Sequence, residues 1–296
     1  MKKTLLFLGI SVLTFGNSMA QRDDKLVEKL RDMYGEEKYQ DCAHDAIKFS
    51  SNPKFKDNPE IYVYASMACL RISQSNEGVE EFKKAFNDAL SYAGKYRKKD
   101  KAGQYYEDYI THFEELKKLV AEEVENYMLE DRKAKVYKSA KKSLGLMGKI
   151  HKMDPDDKGA YLLAAVLELK VKNTTEGKKM LKVIMPEIEK LSATREDMPL
   201  EEELSDKELA KKNKKIEDVF GGPMKPIKPF DEMTEMEQVF LRLAFIEYAD
   251  YLNDKKKFEE AKGIIEIGKP FFYGENDDYL RKYTTDYKEI YKMIHG

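Results

Sequence analysis

Residues 245–272 read FIEYADYLNDKKKFEEAKGIIEIGKPFF, and the spacing of their apolar positions decides the fold. Phe245, Tyr248, Ala249 and Leu252 recur at three- and four-residue steps, which places them on one face of a helix. A polar turn follows. Phe258, Ala261, Ile265 and Gly268 then repeat the same steps on a second helix. Ala249, Ala261 and Gly268 are small, so they let the two backbones approach. The large residues between them fill the remaining space.

A second stretch carries the same pattern. Tyr161, Ala164 and Ala165 lead to Gly177, Leu181 and Ile184, with Thr174 where residue 258 is aromatic. Weaker copies are Tyr39, Cys42 and Ala46, and Tyr137, Ala140 and Leu144. Ile61, Tyr64 and Ala65 open another, followed by a longer turn. These pairs resemble the tetratricopeptide repeat, in which a bulky–small pair on one helix meets spaced small residues on the next. The resemblance implies an all-α, right-handed superhelix of helical hairpins. The repeat period of about 34 residues is irregular here. Each pair exposes an apolar face that only stacking buries.

The rest of the chain is helical by the same criterion, and no stretch alternates with period two long enough to argue a sheet. Helices are expected over Lys25–Met33, ending at Gly35, and over Tyr39–Phe49 and Ile61–Ile72. Asn76–Gly78 is expected to open a helix through Val79, Phe82, Phe86 and Ala89, and Tyr96–Lys101 reads as a basic turn. A long Tyr-rich helix over 104–129 follows, then Val136–Ile150, Tyr161–Val171 and a helix capped by Thr174 or Thr175. Periodicity returns at Glu235, with further helices at Phe258–Gly268 and Asp278–Ile294.

Between the patterned parts, 192–234 holds the acidic run Glu201–Glu203, the basic run Lys211–Lys215, a polar helix near Asp206–Val219, and the Gly/Pro tract 221–229. The organisation expected is a signal peptide over 1–20, an N-terminal helical block over 21–191, a charged linker over 192–234, and a C-terminal block over 235–296.

Lys2 and Lys3, the apolar run Thr4–Phe15, and the small residues Ser18 and Ala20 form a secretory signal pattern. Export to the periplasm, or beyond the cell, is the expectation. No cysteine follows the apolar run, which argues against a lipid anchor. Later segments fall short of the ~20 apolar residues of a membrane helix. Cys42 and Cys69 are the only cysteines. An oxidising compartment permits a bridge between them, and two buried small side chains is the alternative.

Loss of Lys2 and Lys3 takes the formal charge of −2 to −4, near balance for a chain with 36% charged residues. That balance argues against a nucleic-acid or polyanion binder, which needs a clustered basic excess. The histidines His44, His112, His151 and His295 are not spaced as metal ligands. Cys42 and His44 are two apart on a helix and point away from each other. Motifs for zinc peptidases, serine hydrolases and phosphate loops are absent, so no catalytic residue, metal or cofactor is expected. The carboxylate pairs Glu114–Glu115 and Glu122–Glu123 read as solvated helix faces.

Repeat arrays of this kind bind partners on the face made by the first helix of each pair. The resemblance therefore nominates Tyr62, Leu162 and Ile246, then Ser66, Val166 and Asp250 one turn on, then Leu169 and Asn253 with Cys69. The function expected is a non-enzymatic scaffold or adaptor binding protein segments in a cell-envelope assembly. A glycan- or nutrient-binding accessory protein is the alternative, which exposed coplanar aromatic rings would favour.

Overall fold

The computed structural model describes residues 25–75, 80–134, 136–195, 227–272, 287–290 and 292. The expected signal peptide, the charged and Gly/Pro-rich runs of 201–226, and most of the expected last helix lie outside these residues. Among the described residues every regular element is helical. None of those helices is long and apolar enough to cross a membrane.

The chain divides into two compact units, Met1–Leu116 and Lys117–Gly296. The first contains helix α1 (residues 25–35), α2 (Tyr39–Ser50), α3 (Pro59–Gln74) and α4 (Ala85–Lys99), and the division falls within α5 (Ile110–Ala134). The second adds α6 (Ala140–Met153), α7 (Lys158–Lys170), α8 (Thr174–Arg195), α9 (Glu235–Asp254) and α10 (Phe258–Gly268).

In the first unit α3 is the central helix and packs on α2 and α4. Its start follows from local chemistry. Pro59 occupies the first turn, where its missing N–H is not needed, and Asn58 accepts a hydrogen bond from the Glu60 N–H at 3.0 Å. Ile61, Val63, Ala65, Ala68, Cys69 and Leu70 are fully buried. The start of α5 contributes Phe113 to this core, with its ring stacked 5.1 Å from both Tyr96 and Tyr106.

The second unit is built around α7, which packs on α6, α8 and α9; α10 packs on α9 and touches α8. Asp157 caps α7 by accepting from the Ala160 N–H at 2.8 Å. Thr234 and Glu237 form a reciprocal capping box at the start of α9. The α7–α9 contact is close because residue 159 has no side chain. A Cβ there would lie 2.5 Å from the Glu237 carbonyl oxygen and 2.6 Å from the Leu241 nitrogen.

Three helix pairs, α1–α2, α7–α8 and α9–α10, are joined by the same three-residue turn. Its middle residue is left-handed: Glu37 (φ 59°), Lys172 (φ 69°) and Lys256 (φ 57°). In each turn the last N–H reaches back five residues: Lys38 to Met33, Asn173 to Glu168, and Lys257 to Leu252, all at 2.9 Å. The left-handed residue bonds back three, which completes a Schellman-type helix end. Four residues beyond the turn, Cys42, Gly177 and Ala261 bond back to Lys38, Asn173 and Lys257.

These three positions carry the small side chains. A Cβ on Gly177 would lie 2.9 Å from the Ala165 carbonyl oxygen, and the Cys42 thiol donates to the matching carbonyl of Leu30 at 3.5 Å. Ala249 and Ala261 are buried, and a Cβ on Gly268 would meet the Phe245 ring at 2.7 Å. The close approach read from residues 245–268 is therefore present.

Several boundaries differ from the expectations. Helix α1 runs to Gly35, and the left-handed residue of the turn that follows is Glu37. Glu80–Phe82 is a short 3₁₀ turn, α4 begins at Ala85, and Tyr96–Lys99 is its last turn rather than a loop. The Tyr-rich helix starts at Ile110, not near 104. Asp100 draws the backbone N–H of Gln104 (2.8 Å) and Tyr105 (3.0 Å) into a turn, and Gly103 takes φ 69°. Helix α6 starts at Ala140 because the Asp131 carboxylate binds the N–H groups of Ser139 and Ala140 at 2.9–3.0 Å. Helix α8 begins at Thr174, so Thr174 and Thr175 lie inside it.

Candidate partner-binding face

The eight nominated residues fall into two groups. Tyr62, Ser66, Leu162, Val166, Leu169 and Ile246 are buried. Asp250 and Asn253 keep part of their surface open, with the Asp250 side chain 16% exposed.

The buried group does structural work. The Tyr62 hydroxyl donates to the Lys56 carbonyl at 2.7 Å and secures the loop between α2 and α3. The Ser66 hydroxyl donates to the Ala89 carbonyl at 2.7 Å and lies 2.8 Å from His112 Nε2. A serine beside a histidine invites a nucleophile–base reading, but the proton assignment opposes it. Ser66 has one proton, and the carbonyl can only accept it. His112 Nε2–H must then donate to Ser66 Oγ. Burial lowers the His112 ring to about 3, so it is neutral, and its acceptor nitrogen faces away from the hydroxyl. The pair braces α3, α4 and α5.

Next to this pair, Arg71 grips Glu115 through two hydrogen bonds of 2.6 and 2.8 Å and takes a third with Tyr34. Burial alone would raise the Glu115 carboxyl; the bonds from Arg71 and Gln74 outweigh it and hold it below the ordinary range. Tyr109 donates to Glu60 at 2.7 Å. Tyr106 and Tyr109 thus brace this core, one through its ring stack on Phe113 and the other through its hydrogen bond.

The open group borders a charged network in the second unit. Lys170 is buried at the end of α7, bonded to Glu247 and at 3.2 Å to Asp250, both on α9. Arg132 Nε stands 3.5 Å from the other Glu247 oxygen. Burial disfavours the Lys170 cation, but the two carboxylates overcome it and the amine is held charged. It therefore does not serve as a neutral amine nucleophile. Burial raises the Asp250 carboxyl, against the pull of Lys170.

Tyr137 closes the rim. Its hydroxyl donates to Asp254 at 2.5 Å, and the Lys170 and Lys255 amines stand 5.0 and 5.9 Å from its ring centre. Asp250, Asn253 and Asp254 thus form one polar edge whose carboxylates stand among the cations of Lys170, Arg132 and Lys255. Such an edge can accept hydrogen bonds and cationic groups. It presents no activated nucleophile.

A second buried network lies deeper in this unit. Lys117 is fully buried and contacts Asp154 at 2.7 Å and Asp157 at 3.1 Å. Burial pushes the Asp157 carboxyl up to about 7, with Lys117 opposing. Cys42 and Cys69 are buried free thiols, each raised to about 12 by burial. Both are inert packing groups at that value.

Sequence reasoning missed His112, Lys117, Asp157, Lys170 and Glu247. The available signal was a charge inside an apolar run: Lys170 ends YLLAAVLELK, and Glu247 interrupts LAFIEYA. No protein-family model matches the chain, and neither the curated proteins nor the solved structures contain a significant match.

Proposed function

We propose that this chain is a tetratricopeptide-like, non-enzymatic adaptor, exported to the periplasm, that binds protein segments within a cell-envelope assembly. The observation carrying this reading is the turn repeated at Glu37, Lys172 and Lys256, each followed by a small residue that seats the second helix on the first. That is the packing logic of helical-hairpin repeats, which are binding scaffolds. Export rests on the signal pattern of residues 1–20. Partners dock on the open edge of the α7–α9 face, at Asp250 and Asn253, where the buried ion network holds the rim rigid.

Affinity capture from the native envelope, read by mass spectrometry, tests this proposal with wild type and an Asp250→Arg/Asn253→Arg variant in parallel. The adaptor reading expects a discrete set of proteins with wild type and its loss with the folded variant. Identical capture by both proteins would overturn the docking edge. A wild-type monomer that enriches no protein would overturn the adaptor reading. N-terminal sequencing of the exported protein should begin at Gln21.

A further inference from the structure

The near-zero overall charge conceals a strongly basic corner where α5 meets α6. Residues 129–153 contain eight Lys and Arg against two carboxylates, Glu130 and Asp131. Asp131 is buried, and its charge is taken up by the Ser139 and Ala140 N–H groups at the start of α6. Arg132 turns toward Glu247. Within these residues Lys133, Lys138, Lys141, Lys142 and Lys152 face solvent, with Glu130 as the one exposed acid among those described. The Lys142 amine lies 5.0 Å from the Tyr127 ring centre, which ties α6 to α5 across the corner.

The same corner carries apolar side chains that no described residue covers. Leu129 is 45% exposed and Val136 is 47% exposed, two of the three large hydrophobic side chains exposed among the described residues. Leu129 precedes Lys133 by one helical turn, and so shares its face. Farther along α6, Gly145 and Gly148 are exposed, with nothing within 4 Å of a Cβ built on either. Among the described residues no packing demand explains two glycines inside a helix, each of which costs about 1 kcal/mol.

We propose that this corner docks on an anionic lipid surface. The lysines attract the headgroups, and Leu129 and Val136 enter the boundary between headgroups and chains. Single aliphatic side chains set among lysines suit a lipid layer, which needs no complementary pocket. The smooth Gly145–Gly148 face lets α6 lie close to that layer. This inference is independent of the repeat reading and of any protein partner.

Vesicle flotation of the full mature chain tests it. Vesicles of mixed phosphatidylglycerol and phosphatidylcholine should carry the protein at low salt and release it at high salt, while pure phosphatidylcholine should not carry it. Lys138→Gln/Lys141→Gln/Lys142→Gln should weaken partitioning about 100-fold. Leu129→Ser/Val136→Ser should weaken it about tenfold and keep the salt dependence. Every substitution is on the surface, and circular dichroism confirms that each variant folds. Three results would overturn the proposal: absence of flotation with anionic vesicles, equal flotation with neutral ones, or a glutamine variant that partitions like wild type. Displacement from vesicles by soluble polyglutamate, with no effect of the serine pair, would instead mark an acidic protein as the occupant and also overturn it.

Discussion

Single residues in this protein are decided by whether their charge or proton has somewhere to go. Ser66 and His112 have the types of a catalytic pair and the geometry of a brace, because the serine proton is committed to the Ala89 carbonyl. Lys170 shows the same principle for charge. Its side chain is 4% exposed and its amine is compensated by Glu247 and Asp250. Replacing one partner of such a network strands the others in a medium that solvates them poorly. Lys170→Met should therefore destabilise the protein by about 3–5 kcal/mol, and adding Glu247→Leu should restore only part of that loss, because Asp250 still lacks Lys170. Urea denaturation of the two variants measures this. A loss below about 1 kcal/mol for Lys170→Met would mean that water reaches the site and the pair behaves as a surface ion pair. This network was not legible beforehand. Sequence spacing gives the face on which a side chain lies, and of the eight residues nominated that way six turned out buried. Burial depends on what the chain packs over that face.

At the scale of elements the pattern was more informative. Helix α10 is Phe258–Gly268 as the spacing predicts, with Ala249 and Ala261 buried and Gly268 in close approach to Phe245. The turns were the weak part, since nothing in the sequence marks Glu37, Lys172 and Lys256 as left-handed. A non-glycine residue in that conformation costs roughly 1–2 kcal/mol. Glycine removes the strain but gives the unfolded chain about 0.4–1 kcal/mol of extra entropy. Lys256→Gly should thus stabilise by about 0.5–1 kcal/mol. Glycines at helix contacts should behave in the opposite way. Gly159→Ala places a methyl against α9 backbone that cannot swing aside, so a loss of about 3 kcal/mol is expected. Gly145→Ala meets open space and should gain about 1 kcal/mol. A thermal or urea series across these three variants checks the order. Equal effects of Gly159→Ala and Gly145→Ala would contradict the close α7–α9 contact.

For the whole molecule, the division between Leu116 and Lys117 was not legible in the sequence. Composition marks a boundary only where the chain leaves regular structure, and α5 runs helically through this one. The two units differ in what acid does to them. In the first, burial lowers the His112 ring from 6.5 to about 3. Its folded value is depressed, so its stabilising contribution is full above pH 6.5 and is lost as pH falls toward 3. The loss approaches 1.4 kcal/mol per pH unit over that window. Asp57, Asp100 and Glu115, held below their ordinary range by hydrogen bonds, add to it at lower pH. In the second unit burial raises Asp157 to about 7 and raises Asp250, so protonation favours the folded state as pH falls from about 7. Burial lowers the His151 ring and offsets part of that gain. Hydrogen-exchange protection should therefore fall first in α2–α4 on acidification from pH 7 to pH 5, while α7 and α9 stay protected. His112→Gln should abolish most of that early loss, because it removes the proton that the unfolded chain binds and the folded unit refuses. Simultaneous loss in both units, or first loss in α7 and α9, would show that these buried groups do not control the response to acid.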